Sequence, residues 1–362
     1  MPDALATLGR RATILAAVAI GATILTALLR FASAGAELVF VVSAVALAGL
    51  AGLVGEGTDQ LGHKFGPRAT GVLQSALGNL PELFISIFSL QAGLVVVVQT
   101  ALIGSILANS LLVLGLAFLL GGLRHGVQRF EVTSVRNIAV LLMLAVGALV
   151  IPTVATAPGG PDAGHAQEVS VFVSIVLLVV FLASIPFSIR GGPGASAVSS
   201  PVSEAWPLGL AVGVLIVAAI GAAVVSDWFV DALTPAMAAL GISEEFVGLV
   251  VVAIAGNAVE NVVGVQAAMR NQMDMAVSLI LNSSLQVALA LTPVLVILSV
   301  VIGGGGLTLV LSPLLAVALA LSAILGAFVV FDGESTWLEG LALLGLYVTI
   351  AAGVWYGAPI QV

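Results

Sequence analysis

Two short stretches carry acid chemistry into apolar surroundings: Gly78-Asn79-Leu80-Pro81-Glu82 and Gly256-Asn257-Ala258-Val259-Glu260. Each reads Gly-Asn-x-x-Glu, and each sits in the middle of a segment apolar enough to cross a bilayer. A carboxylate at that depth costs roughly 2.5–3.5 kcal/mol on insertion scales. A chain that places one in each half, in the same local sequence, is using them as a pair. Two bare carboxylates brought together in a low dielectric repel each other and lose hydration. Such a pair has two comfortable states, loaded with a divalent cation or protonated. A site that must hold one or the other, and can face either side, is an exchanger.

Neutral oxygens accompany the acids. Residues three and four apart share a helix face, so Asn79, Glu82 and Ser86 form one polar stripe, and Asn257, Glu260 and Asn261 a second. In the apolar stretches that follow, Ser105 and Asn109 are four apart, and Ser283 and Gln286 are three apart with Ser284 beside them. Carboxylates with hydroxyl and amide oxygens form a hard ligand set of the kind Ca²⁺ takes. The chain has no cysteine and no His near these motifs, which argues against zinc or copper. No cofactor is expected beyond the transported ions. Gly78, Pro81 and Gly256 are expected to loosen their helices and free carbonyls, which is safer around a cavity than in lipid. For Ser86, Ser284 and Asn261 the competing reading is helix-packing hydrogen bonds.

The elements that must hold these residues follow from composition. Of 362 residues, 60% are hydrophobic and 8% charged, against about 25% charged in soluble domains. The fold class is therefore an all-α polytopic membrane protein. The net charge of -8 says little about partners, since the acids are dispersed; a lipid bilayer is implied, and no nucleic acid. Crossings of about 20 apolar residues are predicted at 12–30, 37–61, 70–95, 98–121, 133–157, 167–190, 207–231, 245–270, 274–301, 306–330 and 336–357. With the N-terminus cytoplasmic, Arg10, Arg11, Lys64, Arg68, Arg124, Arg129, Arg136, Arg190 and Arg270 all gather on one side, and Arg30 alone lies opposite. That is the positive-inside pattern. The competing reading of the first crossing is a cleaved signal peptide, from Arg10-Arg11 and Ala32-Ser33-Ala34, but its apolar run exceeds the usual 7–15 residues.

Gly256 stands 178 residues after Gly78, and the same offset pairs Thr100 with Ser278, Ser105 with Ser283 and Leu107 with Leu285. Upstream, Gly55-Glu56-Gly57-Thr58-Asp59 resembles Ser226-Asp227-Trp228-Phe229-Val230-Asp231. The chain then divides as 1 + 5 + 5: an extra helix at 1–31, a first repeat at 32–190, a flexible cytoplasmic linker at 191–206 and a second repeat at 207–362. Five crossings per repeat invert the second copy, the pattern of secondary transporters with a midplane site. Glu56, Asp59, Asp227 and Asp231 are expected to attract cations into the two vestibules, or else to be acids at helix ends in water. Glu244, Glu245, His63, His125 and His165 are expected in loops.

These residues resemble the Ca²⁺/cation antiporter superfamily and, within it, the H⁺/Ca²⁺ exchangers called CAX. Gly78–Ile87 and Gly256–Val265 resemble that family's two signature repeats. Gly104-Ser105-Ile106-Leu107-Ala108-Asn109, Gly121-Gly122-Leu123-Arg124-His125 with Gln128-Arg129-Phe130, and Ser283-Ser284-Leu285-Gln286-Val287-Ala288-Leu289 are further matches. The resemblance implies one cation site between the repeats, with Glu82 and Glu260 as central ligands and proton acceptors, and Ca²⁺ export from the cytoplasm driven by proton entry. It implies a multi-pass protein of a bacterial plasma membrane and leaves a homo-oligomer open. Three features depart from the family. Leu80-Pro81 replaces the usual Ala-Thr, Asn261 stands where His usually follows the second Glu, and the linker lacks an acidic stretch.

Three rival readings remain. Na⁺/Ca²⁺ exchange is echoed by Pro81-Glu82, although Asn79, Asn257 and Gln286 favour proton coupling. An intramembrane hydrolase would use paired carboxylates on a water, but no Gly-x-Gly-Asp or Gly-x-Ser-x-Gly occurs. A passive channel could select cations with two midplane acids, but the inverted repeat favours alternating access.

Overall fold

The computed structural model describes residues 2–65, 77–160, 162–189, 206–302 and 306–357. Along the chain run α1 (Pro2–Phe31), α2 (Ala36–Phe65), α3 (Leu80–Gln91), α4 (Val95–Leu107), α5 (Leu114–His125), β1 (Gln128–Arg129), α6 (Val132–Ala155), α7 (Ala166–Ile189), α8 (Leu208–Leu240), α9 (Glu244–Phe246), α10 (Ala253–Gly256), α11 (Ala258–Met269), α12 (Met273–Gln286), α13 (Thr292–Ile302), α14 (Pro313–Val329), β2 (Glu334–Ser335) and α15 (Trp337–Trp355). Three π-helical segments, Ala108–Val113, Val247–Val252 and Val287–Leu291, join α4 to α5, α9 to α10 and α12 to α13.

The chain is an α-helical multi-pass membrane protein. Among the described residues eight helices are long and apolar enough to cross a bilayer, and the bent pair Glu244–Gly256 and Glu260–Met269, taken as one broken span, brings the count to nine. The shorter apolar helices α3 and α14 lie within the remaining two predicted crossings, so eleven spans are compatible with the structure. The boundaries differ in two places, and part of one crossing is not described. The third crossing falls partly on residues 66–76, outside the described residues. The seventh continues to Leu240, nine residues beyond its predicted end at Asp231. The tenth begins as extended chain, and its helix starts only at Pro313, capped by Ser312.

The helices group into two compact units. The first holds α1, α2, most of α3, α8 and the turn at Ala255–Val259. Lipid supplies no hydrophobic drive between helices, so close approach at small residues does the work. A Cβ on Gly49 would lie 2.9 Å from the Ala19 backbone nitrogen, and one on Gly221 would lie 2.9 Å from Leu50, so α2 seats on both α1 and α8. Phe40 stacks on Phe229 with ring centroids 4.9 Å apart. The predicted linker ends earlier than expected: residues 190–205 lie outside the described residues, but Trp206 is core. It is 1% exposed, packs with Ala12, Leu61 and Ala211, and its backbone N–H donates to Gln60 Oε1 at 3.0 Å.

The second unit holds α4 to α7, α9 and its π segment, and α11 to α15. Its tightest crossing sets α4 on the Val247–Val252 segment, where a Cβ on Gly104 would lie 2.3 Å from the Leu249 carbonyl oxygen. At one end β1 pairs antiparallel with β2. There the Gln128 amide donates to Ala268 O and Asn271 Oδ1, each at 2.9 Å, and His125 Nε2 meets Met269 O at 2.9 Å, so two side chains from the β1 region close the C-terminus of α11.

Elsewhere in this unit residues 307–312 run extended and largely buried, after a left-handed turn at Gly306. Non-helical backbone at membrane depth needs its polar groups satisfied by protein. Leu307 N–H donates to Ser299 Oγ, Leu309 N–H to Ser170 Oγ and Leu311 N–H to Thr153 Oγ1, at 2.8–2.9 Å. The Gln99 amide donates to the carbonyls of Thr308 and Val310. Alternate N–H groups and the carbonyls between them are thus paired by side chains from four helices.

Candidate cation site

The Gly-Asn-x-x-Glu motif acts first on the backbone. The helix is interrupted at Gly78-Asn79 in the first copy and at Asn257 in the second, and restarts on the next residue, at Leu80 and at Ala258. Asn thus stands at the N-cap and Glu three residues later, the spacing of a capping box. The Asn79 carbonyl accepts the first intrahelical bond, from Leu83 N–H at 2.9 Å. Pro81 falls in the first turn, where a missing N–H costs no intrahelical bond. Each glutamate therefore sits in the first turn of a half-helix, where the backbone dipole favours negative charge.

The first unit holds Glu82, which is 3% exposed. Its Oε1 accepts from the Asn257 side-chain amide at 2.9 Å. Asn257 is itself buried. A Cβ on Gly256 would lie 2.7 Å from Glu82 Cγ, so only glycine lets the carboxylate lie against the second motif's turn. The acid of the first motif is thus seated on the Gly-Asn of the second, although the two are far apart in sequence. Asn79 is half-buried at its cap position.

The second unit holds Glu260, which is half-buried on α11, and the neutral oxygens. Asn109 Nδ2 donates to Ser283 Oγ at 3.0 Å, and the hydroxyls of Ser110 and Ser284 lie 3.2 Å apart. These four residues and Ser105 are buried; Gln286 is half-buried. Asn109 and Ser110 belong to the Ala108–Val113 π segment, and Ser283 and Ser284 lie in the last turn before the Val287–Leu291 segment. The 178-residue offset carries Asn109–Val113 onto Val287–Leu291, so the same local widening recurs at the matched place in both halves. A π turn re-aims the side chains that follow it and occurs frequently at functional sites.

Two of the outer acids, Glu56 and Asp231, have partners on α1. Arg11 lies 3.9 Å from Glu56, which also takes the Gln60 amide at 3.4 Å. Arg30 bonds Asp231 at 2.9 Å and lies over the Trp228 ring at 5.8 Å. Asp59 is half-buried and Asp227 exposed. The two arginines were read from sequence only for orientation; an arginine near each end of one helix was the signal of their pairing. Sequence reasoning also missed Ser110, whose signal was its place beside Asn109. Glu245, expected in a solvated loop, is instead buried in the short helix that Ser243 caps. Among the described residues no group of three or more His, Asp or Glu is placed to hold a metal.

Half-helices that carry a glutamate in the first turn, in a chain of apolar spans, are the mark of a membrane ion transporter. The chain belongs to the sodium/calcium exchanger protein family, whose description matches residues 36–190 and 210–356. It is 35% identical over 342 residues to a Ca(2+)/H(+) antiporter of a Synechocystis species, covering 89% of this chain and 92% of the relative. It is 35% identical over 347 residues to the Ca(2+)/H(+) antiporter ChaA of Bacillus subtilis, covering 94% and 97%. Among solved structures, native YfkE aligns with a TM-score of 0.82 at 31% identity, over 94% of this chain and 99% of the other.

Proposed function

We propose that this chain exchanges Ca²⁺ for H⁺ by alternating access and exports Ca²⁺ from the cytoplasm of a bacterium across its inner membrane, with its N-terminus cytoplasmic. The observation that carries the reading is the placement of Glu82: a buried carboxylate at a helix break, one oxygen of which accepts from the Asn257 amide of the second motif. Such a group needs a positive charge beside it or a proton on it. Glu260, in the first turn of the matched half-helix, is the second member of the pair. Asn79, Asn257, Ser105, Asn109, Ser283 and Gln286 supply neutral oxygens, so Ca²⁺ as substrate would draw most of its six to eight ligands from groups that carry no charge. The relatives' names agree in both ions. This reading makes the protein a transporter and not an enzyme.

The family's description keeps sodium as the rival counter-ion. Purified protein in liposomes with imposed H⁺, Na⁺ or K⁺ gradients separates the two. Uptake of Ca²⁺ into vesicles with an acidic lumen, lost on adding a protonophore and unchanged by sodium, is the expected result. Uptake that follows a sodium gradient at uniform pH would transfer the proposal to sodium exchange.

A further inference from the structure

The side-chain oxygen of Asn261 is buried and has no hydrogen-bond partner among the described residues. Buried carbonyl oxygens are seldom left so, and one in a native fold calls for an explanation such as an ion. Its surroundings narrow the choice. Gly264, three residues on and so on the same face, would place a Cβ 2.8 Å from Ile280, so this face of α11 meets α12. The two helices are joined by the short turn after Met269 and run antiparallel, so three residues back on α11 corresponds to three residues on along α12, at Ser283. The same Cβ would lie 3.8 Å from Val113 Cγ1, so the Ala108–Val113 segment borders this face as well. The unpaired oxygen therefore stands at the height of the Asn109–Ser283 and Ser110–Ser284 pairs, one residue after Glu260.

We infer that Asn261 is a ligand of the transported cation, giving a neutral carbonyl oxygen beside the Glu260 carboxylate. An amide does not titrate, so this oxygen adds to cation affinity and nothing to proton binding. In this chain the residue after the second motif's glutamate thus selects for metal, while proton uptake is left to the carboxylates. The inference rests on the cation-site reading of Glu260.

The test uses the full chain in detergent with CaCl₂ as probe, in wild type, Asn261→Leu, Asn261→Ser and Glu260→Gln. Asn261→Leu keeps the volume and removes the oxygen. Its Ca²⁺ dissociation constant should rise about tenfold, with the number of protons released per Ca²⁺ unchanged. Its melting temperature without Ca²⁺ should not fall, since an unpaired polar atom has gone, while the rise on adding Ca²⁺ should shrink. Wild-type Ca²⁺ affinity in Asn261→Leu, or a lower melting temperature without Ca²⁺ and an undiminished rise with it, would overturn the inference. If that variant is not monodisperse, Asn261→Ser, whose oxygen is too short to reach, should weaken binding likewise, and unchanged affinity there overturns it equally. Glu260→Gln with wild-type Ca²⁺ binding would instead remove the site reading beneath.

Discussion

The two glutamates share a motif, a helix break and a place in the first turn, yet their settings differ. Glu82 is 3% exposed and leans on Gly256 and Asn257 of the other motif. Glu260 is half-buried, follows Ala258-Val259 instead of Leu80-Pro81, and is succeeded by an asparagine where Glu82 is succeeded by Leu83. A duplicated sequence thus preserved the backbone device and let the environments drift. Near-equal geometry does not make the two acids equal in charge, because burial and hydrogen bonding set how readily each accepts a proton.

The largest effect should come from neutralising either acid. Glu82→Gln and Glu260→Gln should each reduce proton-driven Ca²⁺ uptake in liposomes to background. Their stabilities should diverge: Glu82→Gln keeps an acceptor for Asn257 and removes a buried charge, so its melting temperature should not fall, and Glu260→Gln should move it less. If either variant kept wild-type exchange, the pair would not be the site. Next, Asn257→Ala removes the amide from a buried carboxylate, a bond worth about 1.5–3 kcal/mol, and should weaken Ca²⁺ binding at fixed pH by roughly tenfold or more. Gly256→Ala pushes a methyl group onto Glu82 Cγ and should cost about 1–3 kcal/mol in unfolding experiments. Asn79→Ala, losing only a cap, should cost about 0.5–2 kcal/mol; a loss as large as that of Asn257→Ala would erase the asymmetry. Smallest of all, Arg30→Ala breaks a pair whose side chains are 36% and 57% exposed, and should shift stability by about 1 kcal/mol or less.

Much of the fold could be read from the chain because lipid imposes a simple rule: apolar runs of fixed length, with positive residues on one side. The motif spacing carried its own physics, since Asn followed by Glu three residues later is also a way to start a helix. What escaped were features in which distant residues decide local shape. Residues 307–312 read as the beginning of a span because Leu and Val dominate them. Only Ser299, Ser170, Thr153 and Gln99, from elsewhere in the chain, make an extended path permissible there. Trp206 closed a polar linker by composition, and its burial depends on Ala12, Leu61 and Ala211. The seating of Glu82 on Gly256 joined positions that no local pattern links. The π segments left no compositional mark, and only the offset between the halves revealed them as a matched pair.

That extended stretch also bears on the length of the predicted tenth crossing. The 17 residues of α14 measure about 26 Å at 1.5 Å per residue, short of a hydrocarbon layer of about 30 Å. Each extended residue ahead of it advances about 3.3 Å, more than twice the helical rise. The deficit is made up by unwinding the chain at its start instead of lengthening the rod, and three hydroxyls and one amide fix where the unwinding stops.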